Sequence, residues 1–234
     1  MGMPISIDIP GATNSDVFQA VFDFFRQVDA NYSPYIDTSK VSLFAAGKIE
    51  VSQLSAELTS IIEQCKNYEE LTNGYFSAYY AGTFDPSGYV KAWAIDKAAS
   101  IITAIGYDTF LINIAGDMSA RGSAKIWNLA IQDPFNKQEI LGTVRLANQA
   151  IATSGTYARG NHIFDPHTQK NTTDLLSVTV YGPDVIKSDV LATALVAMGY
   201  DDACAFMKTQ PAYAALLIKL DGQLTSLNDF KLIA

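Results

Sequence analysis

The sequence contains few cysteines and few basic residues, and both shortages exclude classes of protein. Cys65 and Cys204 are the only cysteines and form no CxxC motif, so neither a disulfide framework nor a cysteine-bound zinc ion is expected. Lys and Arg number 16 against 24 Asp and Glu, which gives a net charge of −8. That balance disfavours nucleic acid as a partner, because neutralising phosphates requires a surplus of basic side chains.

Long apolar runs are also missing. No stretch approaches the roughly 20 consecutive apolar residues that a membrane-spanning helix needs, so no transmembrane segment is expected. The opening residues, MGMPISIDIPG, contain neither the apolar core of a signal peptide nor a lipobox. We therefore expect a cytoplasmic protein, or an exported one if an export signal has been removed from this chain.

The composition is that of a compact globular protein, with 49% hydrophobic and 17% charged residues. Helical periodicity predicts helices after Ser15, from Ser52 to Leu71, from Ser87 to Gly106 and from about Pro183 or Lys187 to Met198, with a short one after Asp201. Short apolar runs predict strands at Ile5–Ile9, Phe110–Ile114, Ile126–Ile131, Ile140–Leu146, Ala150–Thr153, Leu176–Tyr181 and Ala214–Leu220. Helices that come early and hairpin-linked strands that come late favour an α+β fold. We expect one compact domain over residues 1–234, with mainly antiparallel strands in its C-terminal half and helices packed on them.

Three of the predicted strands lead into clusters of Gly, Ser, Thr, Asp and His. The segments read INIAGDMSARG, AIATSGTYARGNHIFDPHTQ and SVTVYGPDVIKSDVLATAL. Polar groups at strand ends can hold a ligand against a rigid sheet. Asp189 and Thr193 lie four residues apart in a predicted helix, so they face the same way and offer hard oxygen ligands that suit Mg²⁺. By itself, such a pair is more often an exposed carboxylate beside a helical Thr that bonds its own backbone.

His162 is one of only two histidines in the chain. A neutral imidazole near a hydroxyl acceptor is a suitable general base at neutral pH. A lone histidine after a turn is more often a hydrogen-bonded structural residue, and the sequence pattern leaves both roles open.

These segments resemble the ApbE family, the flavin transferases that use FAD to attach FMN to other proteins. SVTV…SDVLATAL is similar to the family's SVTV…ADALATAL, in which the Asp and the Thr bind Mg²⁺. TFDPSGYVKAWAIDKA resembles DLGGIAKGYAVDRA, in which a backbone carbonyl also binds the metal. The resemblance therefore implies a metal site formed by Asp189, Thr193 and the carbonyl of Val90, with Lys91 facing the pyrophosphate of FAD.

Other matches imply further nucleotide-binding and catalytic residues. INIAGD resembles the family's vniGGD, AIATSGTY resembles avaTSGdY, and NHIFDPHT resembles sHiiDPrTG. His162 is the implied catalytic base, with Asp189 as the fallback, and His167 is peripheral. The implied contacts with the flavin nucleotide are Met1, Asp85, Gly88, Lys91, Asp96, Asn113, Gly116, Asp117, Thr153, Ser154, Gly155 and His162.

The implied activity is that of a Mg²⁺-dependent FAD:protein FMN transferase. A Ser or Thr hydroxyl of an acceptor flavoprotein would attack the FMN-side phosphorus of FAD, forming a phosphoester as AMP leaves. Two alternatives stay open. With water as the acceptor the chain would be an FAD pyrophosphatase that releases FMN and AMP. Because Ser77, Ala92, Ala115 and Gln169 replace family residues at turns, a non-catalytic FAD-binding protein is the second alternative.

Overall fold

An antiparallel sheet forms the centre of the fold. The computed structural model describes residues 2–80, 82–136, 138–156, 164–168, 170–171 and 174–233. Its strands are β1 (Ile5–Asp8), β2 (Tyr79–Tyr80), β3 (Thr83–Phe84), β4 (Phe110–Ile114), β5 (Asp117–Arg121), β6 (Trp127–Gln132), β7 (Ile140–Leu146), β8 (Ala150–Gly155), β9 (Phe164–Asp165), β10 (Lys170–Asn171), β11 (Leu175–Gly182), β12 (Ala214–Lys219) and β13 (Leu224–Leu227). Seven of them form one sheet in the order β1-β4-β5-β8-β11-β12-β13, and each neighbouring pair is antiparallel.

The helices cover one face of this sheet. They are α1 (Asp16–Tyr32), α2 (Lys40–Ala45), α3 (Ala56–Leu71), α4 (Ser87–Ile105), α5 (Val185–Met198) and α6 (Tyr200–Met207), and a 3₁₀ turn spans Val51–Gln53. Helix α4 packs on β4 and β5, whereas α5 packs on β8 and β11 and also against α4. The predicted α+β class is therefore confirmed. Within the described part of the chain, no helix has the length and apolar character needed to cross a bilayer.

Helix boundaries show where local capping overrides the apolar pattern. The helix predicted to start at Ser52 begins at Ala56, because the Ser55 hydroxyl accepts a hydrogen bond from the Leu58 amide and caps it there. Helix α2 was not predicted; its cap is the Ser39 side chain, which accepts from the Ser42 amide. Gly106 ends α4 in the left-handed conformation, as predicted.

Strand β5 was missed because a two-residue turn without the usual sequence signal joins it to β4. Ala115 and Gly116 both take positive φ angles, 52° and 101°, as such a hairpin turn requires. Ala fits this conformation poorly. The Asn113 side chain supports the turn by accepting a hydrogen bond from the Gly116 amide at 2.9 Å.

The opposite face of the sheet is covered by the hairpin of β6 and β7. This hairpin forms an apolar cluster with β5, β8, β12 and the C-terminal segment; its buried members are Ala120, Trp127, Leu129, Ile131, Val144, Leu146, Ile151, Ala214, Leu216, Ile218 and Phe230. The end of the chain is fixed to β7 by reciprocal backbone hydrogen bonds between Thr143 and Ile233, of 2.6 and 2.8 Å. The sheet is thus enclosed on both faces.

Candidate active site

A cleft of about 1290 Å³ opens where β5, β8 and β11 meet the N-terminal part of α4 and one face of α5. Its wall includes Asp85, Gly88, Lys91, Gly116, Thr153, Ser154, Gly155, Asp189 and Thr193. Nine of the predicted site residues, from four separate segments of the sequence, are therefore brought together. The volume exceeds the roughly 300–1,000 Å³ of an ordinary small-molecule pocket, so the cleft has room for a ligand of dinucleotide size.

Three charged side chains meet beside the cleft: Lys91 and Asp189 line its wall, and Asp117 lies behind it. The ammonium of Lys91, from α4, makes an ion pair with Asp117 at the start of β5 and lies 3.4 Å from a carboxylate oxygen of Asp189 in α5. Both aspartates are 1% exposed. Burial by itself would lower the pKa of Lys91, but the neighbouring Asp189 and Asp117 carboxylates outweigh it and raise the pKa above the ordinary lysine value. The ammonium therefore stays charged.

The burial of Asp189 corrects the expectation that this carboxylate lies exposed on a surface helix. Helix α5 is apolar on almost every side, and its buried residues include Val185, Val190, Leu191, Leu195 and Val196. A helix of that kind is enclosed by its neighbours, here the sheet, α4 and α6. Asp189 is therefore a buried charge at the wall of the cleft.

Hydroxyl groups line the cleft beside the charges. Ser154 and Thr193 are hydrogen-bonded through their side-chain oxygens at 3.0 Å, which links the end of β8 to α5. Thr153 and Thr179 are linked in the same way at 2.9 Å. The Thr153 amide donates to Asp117 at 3.2 Å, so the carboxylate of Asp117 is held by β8 as well as by Lys91. Strands and helix together fix these oxygens in place.

Several predicted contacts lie away from the cleft. Asp96 is on α4 beyond Lys91 and pairs with Arg121 at 2.9 Å, and it is absent from the cleft wall. Asn113 uses its side chain to support the β4–β5 turn, at a smaller hollow beside β1. The Val90 side chain is buried within α4 and absent from the cleft wall, whereas the role predicted for this residue belongs to its backbone carbonyl. The predictions for Met1 and His162, and the substitution at Gln169, fall outside the described residues.

His167, predicted to be peripheral, connects the turn after β9 to the end of α3. Its Nε2 lies 2.8 Å from the carbonyl oxygen of Asn73, and its ring meets that of Tyr75 edge-on at 4.6 Å. Asp165 accepts hydrogen bonds from the His167 amide and the Thr168 hydroxyl, and these bonds help to hold its pKa below the ordinary value against the effect of burial.

The sequence did not identify part of the cleft wall. The hairpin contributes residues 129–132, and the N-terminal part of the chain contributes Tyr35 and Tyr79. Tyr35 is 89% exposed and Tyr79 is 48% exposed. Such apolar and aromatic residues are ordinary packing material in any sequence, so only their position beside the cleft distinguishes them. Ser177 and Thr179, within the quoted SVTV segment, also line it.

The donor set of the cleft fits a hard cation. Asp189 and Thr193 supply carboxylate and hydroxyl oxygens to the same wall, and oxygen donors are those that Mg²⁺ prefers. Among the described residues, no three His, Cys, Asp or Glu side chains gather as a metal cluster. Few protein ligands are expected for Mg²⁺, which keeps several waters and is commonly bound through one or two carboxylates together with substrate phosphates.

Comparison with known proteins identifies the family. A family model described as the ApbE family matches residues 1–85 and 80–217. The chain belongs to the ApbE family. The fold is similar to that of the flavin transferase ApbE from Vibrio cholerae, with a TM-score of 0.81 and 21% identity over 98% of this chain and 95% of that one. It is also similar to the ApbE protein of Thermotoga maritima, with a TM-score of 0.84 and 19% identity over 97% and 94%.

Two curated relatives carry the name FAD:protein FMN transferase. The protein of Treponema pallidum is 31% identical over 155 residues, which cover 57% of this chain and 43% of the relative. The protein of Rhodobacter capsulatus is 32% identical over 151 residues, which cover 60% of this chain and 29% of the relative. The match thus spans less than half the length of these relatives.

Proposed function

We propose that this protein is a Mg²⁺-dependent FAD:protein FMN transferase. The observation that carries the proposal is the cleft of this ApbE-family chain. Beside it, the Lys91 ammonium pairs with the buried carboxylates of Asp117 and Asp189, close to the hydroxyls of Ser154 and Thr193. FAD would be the substrate, and an acceptor flavoprotein with a target Ser or Thr would be the partner. A cytoplasmic location stays a prediction from the sequence.

In the proposed reaction, the acceptor hydroxyl attacks the FMN-side phosphorus of FAD. A phosphoester bond to FMN forms, the bond to the AMP phosphate breaks, and AMP leaves. Catalysis of such a step consists mainly of positioning and charge stabilisation. The size of the cleft suits both halves of the dinucleotide, and the hydroxyls and amides at the end of β8 are suited to phosphate oxygens.

Asp189 and Thr193 would hold the metal ion, with the Val90 carbonyl as the third ligand that the family resemblance implies. When bound there, Mg²⁺ would neutralise charge on the pyrophosphate. Lys91 faces the same cleft and would add a second positive charge near the phosphates. His162 would remove the proton of the acceptor hydroxyl, as the family resemblance implies.

AMP release distinguishes the proposed reaction from its alternatives. Purified protein is incubated with FAD and Mg²⁺, with and without an acceptor, and AMP and free FMN are separated chromatographically. AMP that accumulates with acceptor, together with covalent flavin on that acceptor, supports the transferase. AMP with an equal amount of free FMN and no acceptor supports the pyrophosphatase. FAD binding without AMP under any condition would identify a non-catalytic FAD-binding protein.

Binding specificity gives a second test. A cleft that holds a pyrophosphate between two nucleotide halves should bind FAD more tightly than FMN or ADP, and Mg²⁺ should strengthen the FAD complex. Flavin fluorescence follows the titrations with FAD and FMN, and ADP is titrated as a competitor. Equal affinity for FMN and FAD would contradict the assignment of the cleft.

A further inference from the structure

The charged cluster beside the cleft contains two carboxylates and one ammonium. Asp117 and Asp189 are almost fully buried, and both lie within ion-pair distance of Lys91. Two buried carboxylates close together repel each other and lose hydration, which destabilises a fold unless a cation lies between them. The chain supplies that cation itself.

The two carboxylates differ in their distance from the ammonium and in their position relative to the cleft. Asp117 is in direct contact with the ammonium, and its second oxygen accepts from the Thr153 amide. Asp189 lies farther from the ammonium, at 3.4 Å. Asp189 borders the cleft together with Thr193, whereas Asp117 is absent from the cleft wall. A cation that enters through the cleft therefore reaches Asp189 first, while Lys91 can stay paired with Asp117.

We propose that Lys91 is a built-in counter-cation. Before a metal ion arrives, its ammonium neutralises both Asp117 and Asp189. When the ion binds, Asp189 becomes a ligand of the ion and Lys91 remains paired with Asp117. The inference rests on the proposed Mg²⁺ site and deepens it. Lys91 is thereby a positioning residue that keeps the two carboxylates assembled and sets the affinity of the cleft for a divalent cation. Binding of the cation competes with the attraction between Lys91 and Asp189.

This competition predicts opposite effects of one substitution. Lys91→Met keeps a long apolar side chain and removes the charge, so the protein without metal should melt at a lower temperature than the parent. The same variant should bind a divalent cation more tightly, on the order of tenfold, because the attraction between Lys91 and Asp189 no longer competes with the cation. A residue that only stabilises the fold would lower melting without raising metal affinity.

The test measures Mn²⁺ binding by electron paramagnetic resonance at pH 8, without FAD or acceptor, together with melting curves at increasing Mg²⁺. Lys125→Met is the matched control, because Lys125 also pairs with a carboxylate, Asp8 at 3.2 Å, but both side chains are largely exposed. Lys91→Met is expected to bind Mn²⁺ more tightly than the parent and to show a larger rise in melting temperature with Mg²⁺. Lys125→Met should behave like the parent in both measurements.

Unchanged or weaker Mn²⁺ binding by Lys91→Met would overturn the proposal, as would the absence of Mn²⁺ binding in both proteins. If Lys91→Met does not fold without metal, Asp117→Asn is compared with the Lys91→Met/Asp117→Asn double variant, which should bind Mn²⁺ more tightly than the single one. Equal affinities in that pair would again overturn it. AMP release by the parent is assayed separately. A failed test of the transferase activity can therefore be distinguished from a failed test of the counter-cation role of Lys91.

Discussion

At β5, the two faces of the central sheet contact different kinds of side chain, charged on the helical face and apolar on the hairpin face. Asp117 projects toward the helices and pairs with Lys91, whereas Ala120 projects toward the hairpin and joins its apolar cluster. Side chains of one strand therefore alternate between a charged cluster beside the cleft and an apolar core. Because the hairpin also borders the cleft through residues 129–132, stability and function are expected to change separately only at positions of the hairpin face that lie away from the cleft. Four substitutions test that separation, in order of expected effect.

The largest effect is expected at the charged wall. Asp189→Asn should reduce Mg²⁺-dependent AMP release by at least about 10³-fold, because metal stabilisation of developing charge contributes several kcal/mol. The fold should survive, since Lys91 keeps its partner Asp117. Turnover is measured by AMP formation and folding by thermal melting, with Asp8→Asn as the exposed control. AMP release at the parental rate would show that Asp189 is not a metal ligand.

The next effect concerns the predicted base, His162, which lies outside the described residues. His162→Gln should lower turnover by about 10²–10⁴-fold, the usual contribution of general-base catalysis. FAD affinity should change little, because a base acts on the acceptor hydroxyl in the transition state. The variant should also lose the rise in rate near about pH 6–7, where an ordinary imidazole titrates.

Three quantities for His162→Gln decide between its possible roles. They are the maximal rate, the FAD dissociation constant and the melting temperature, each compared with the parent. A normal maximal rate with weakened FAD binding would make His162 a ligand contact, leaving Asp189 as the base. A strongly lowered melting temperature would instead identify a structural turn residue.

On the hairpin face, stability should change while the cleft stays intact. Leu216→Ala removes a side chain that is 1% exposed in the apolar cluster, and it should lower the free energy of unfolding by about 2–5 kcal/mol. Leu216 does not border the cleft, so FAD affinity should be unchanged below the melting transition. Leu224→Ala is the control, because that side chain is 47% exposed and its loss should change stability by about 0.5 kcal/mol or less. A large loss of FAD affinity in Leu216→Ala would show that the two faces are coupled.

The smallest effect at neutral pH is expected at Cys65, on the helical face. Burial, followed by the charge of Glu69, raises the pKa of this thiol from 9.0 to about 12. A raised pKa means that the folded state holds the proton more tightly, so the contribution to stability is complete below pH 9 and is lost as the pH rises toward 12. Cys65→Ala should therefore flatten the alkaline fall in melting temperature. An unchanged alkaline slope would show that the thiol does not contribute to it.

The sequence predicted the elements whose signals are local. Apolar periodicity located α1, α4 and α5 and most strands of the sheet, and Gly106 marked a helix end correctly. It missed α2 and β5. The first is short and depends on its Ser39 cap, and the second follows a turn in which Ala115 takes a conformation that its residue type disfavours.

The site was predicted in the same uneven way. The family resemblance assigned Lys91, Ser154, Asp189 and Thr193 to the site, and the fold brings these side chains to one cleft. It also assigned Asp96 to the nucleotide, although this carboxylate pairs with Arg121 away from the cleft wall. A match in a motif fixes a position along a helix, but the neighbours on each helical face decide what the side chain meets.

The sequence by itself determined the family, the α+β class and the oxygen-rich character of the site, because these depend on residue types and their spacing. Only the tertiary structure decided that Asp189 is buried, that Asp117 and Lys91 are its neighbours, and that the hairpin completes the cleft. Charges more than 70 residues apart in the chain interact only after the sheet has paired and the helices have packed on it. Their electrostatic interaction depends on distance and burial.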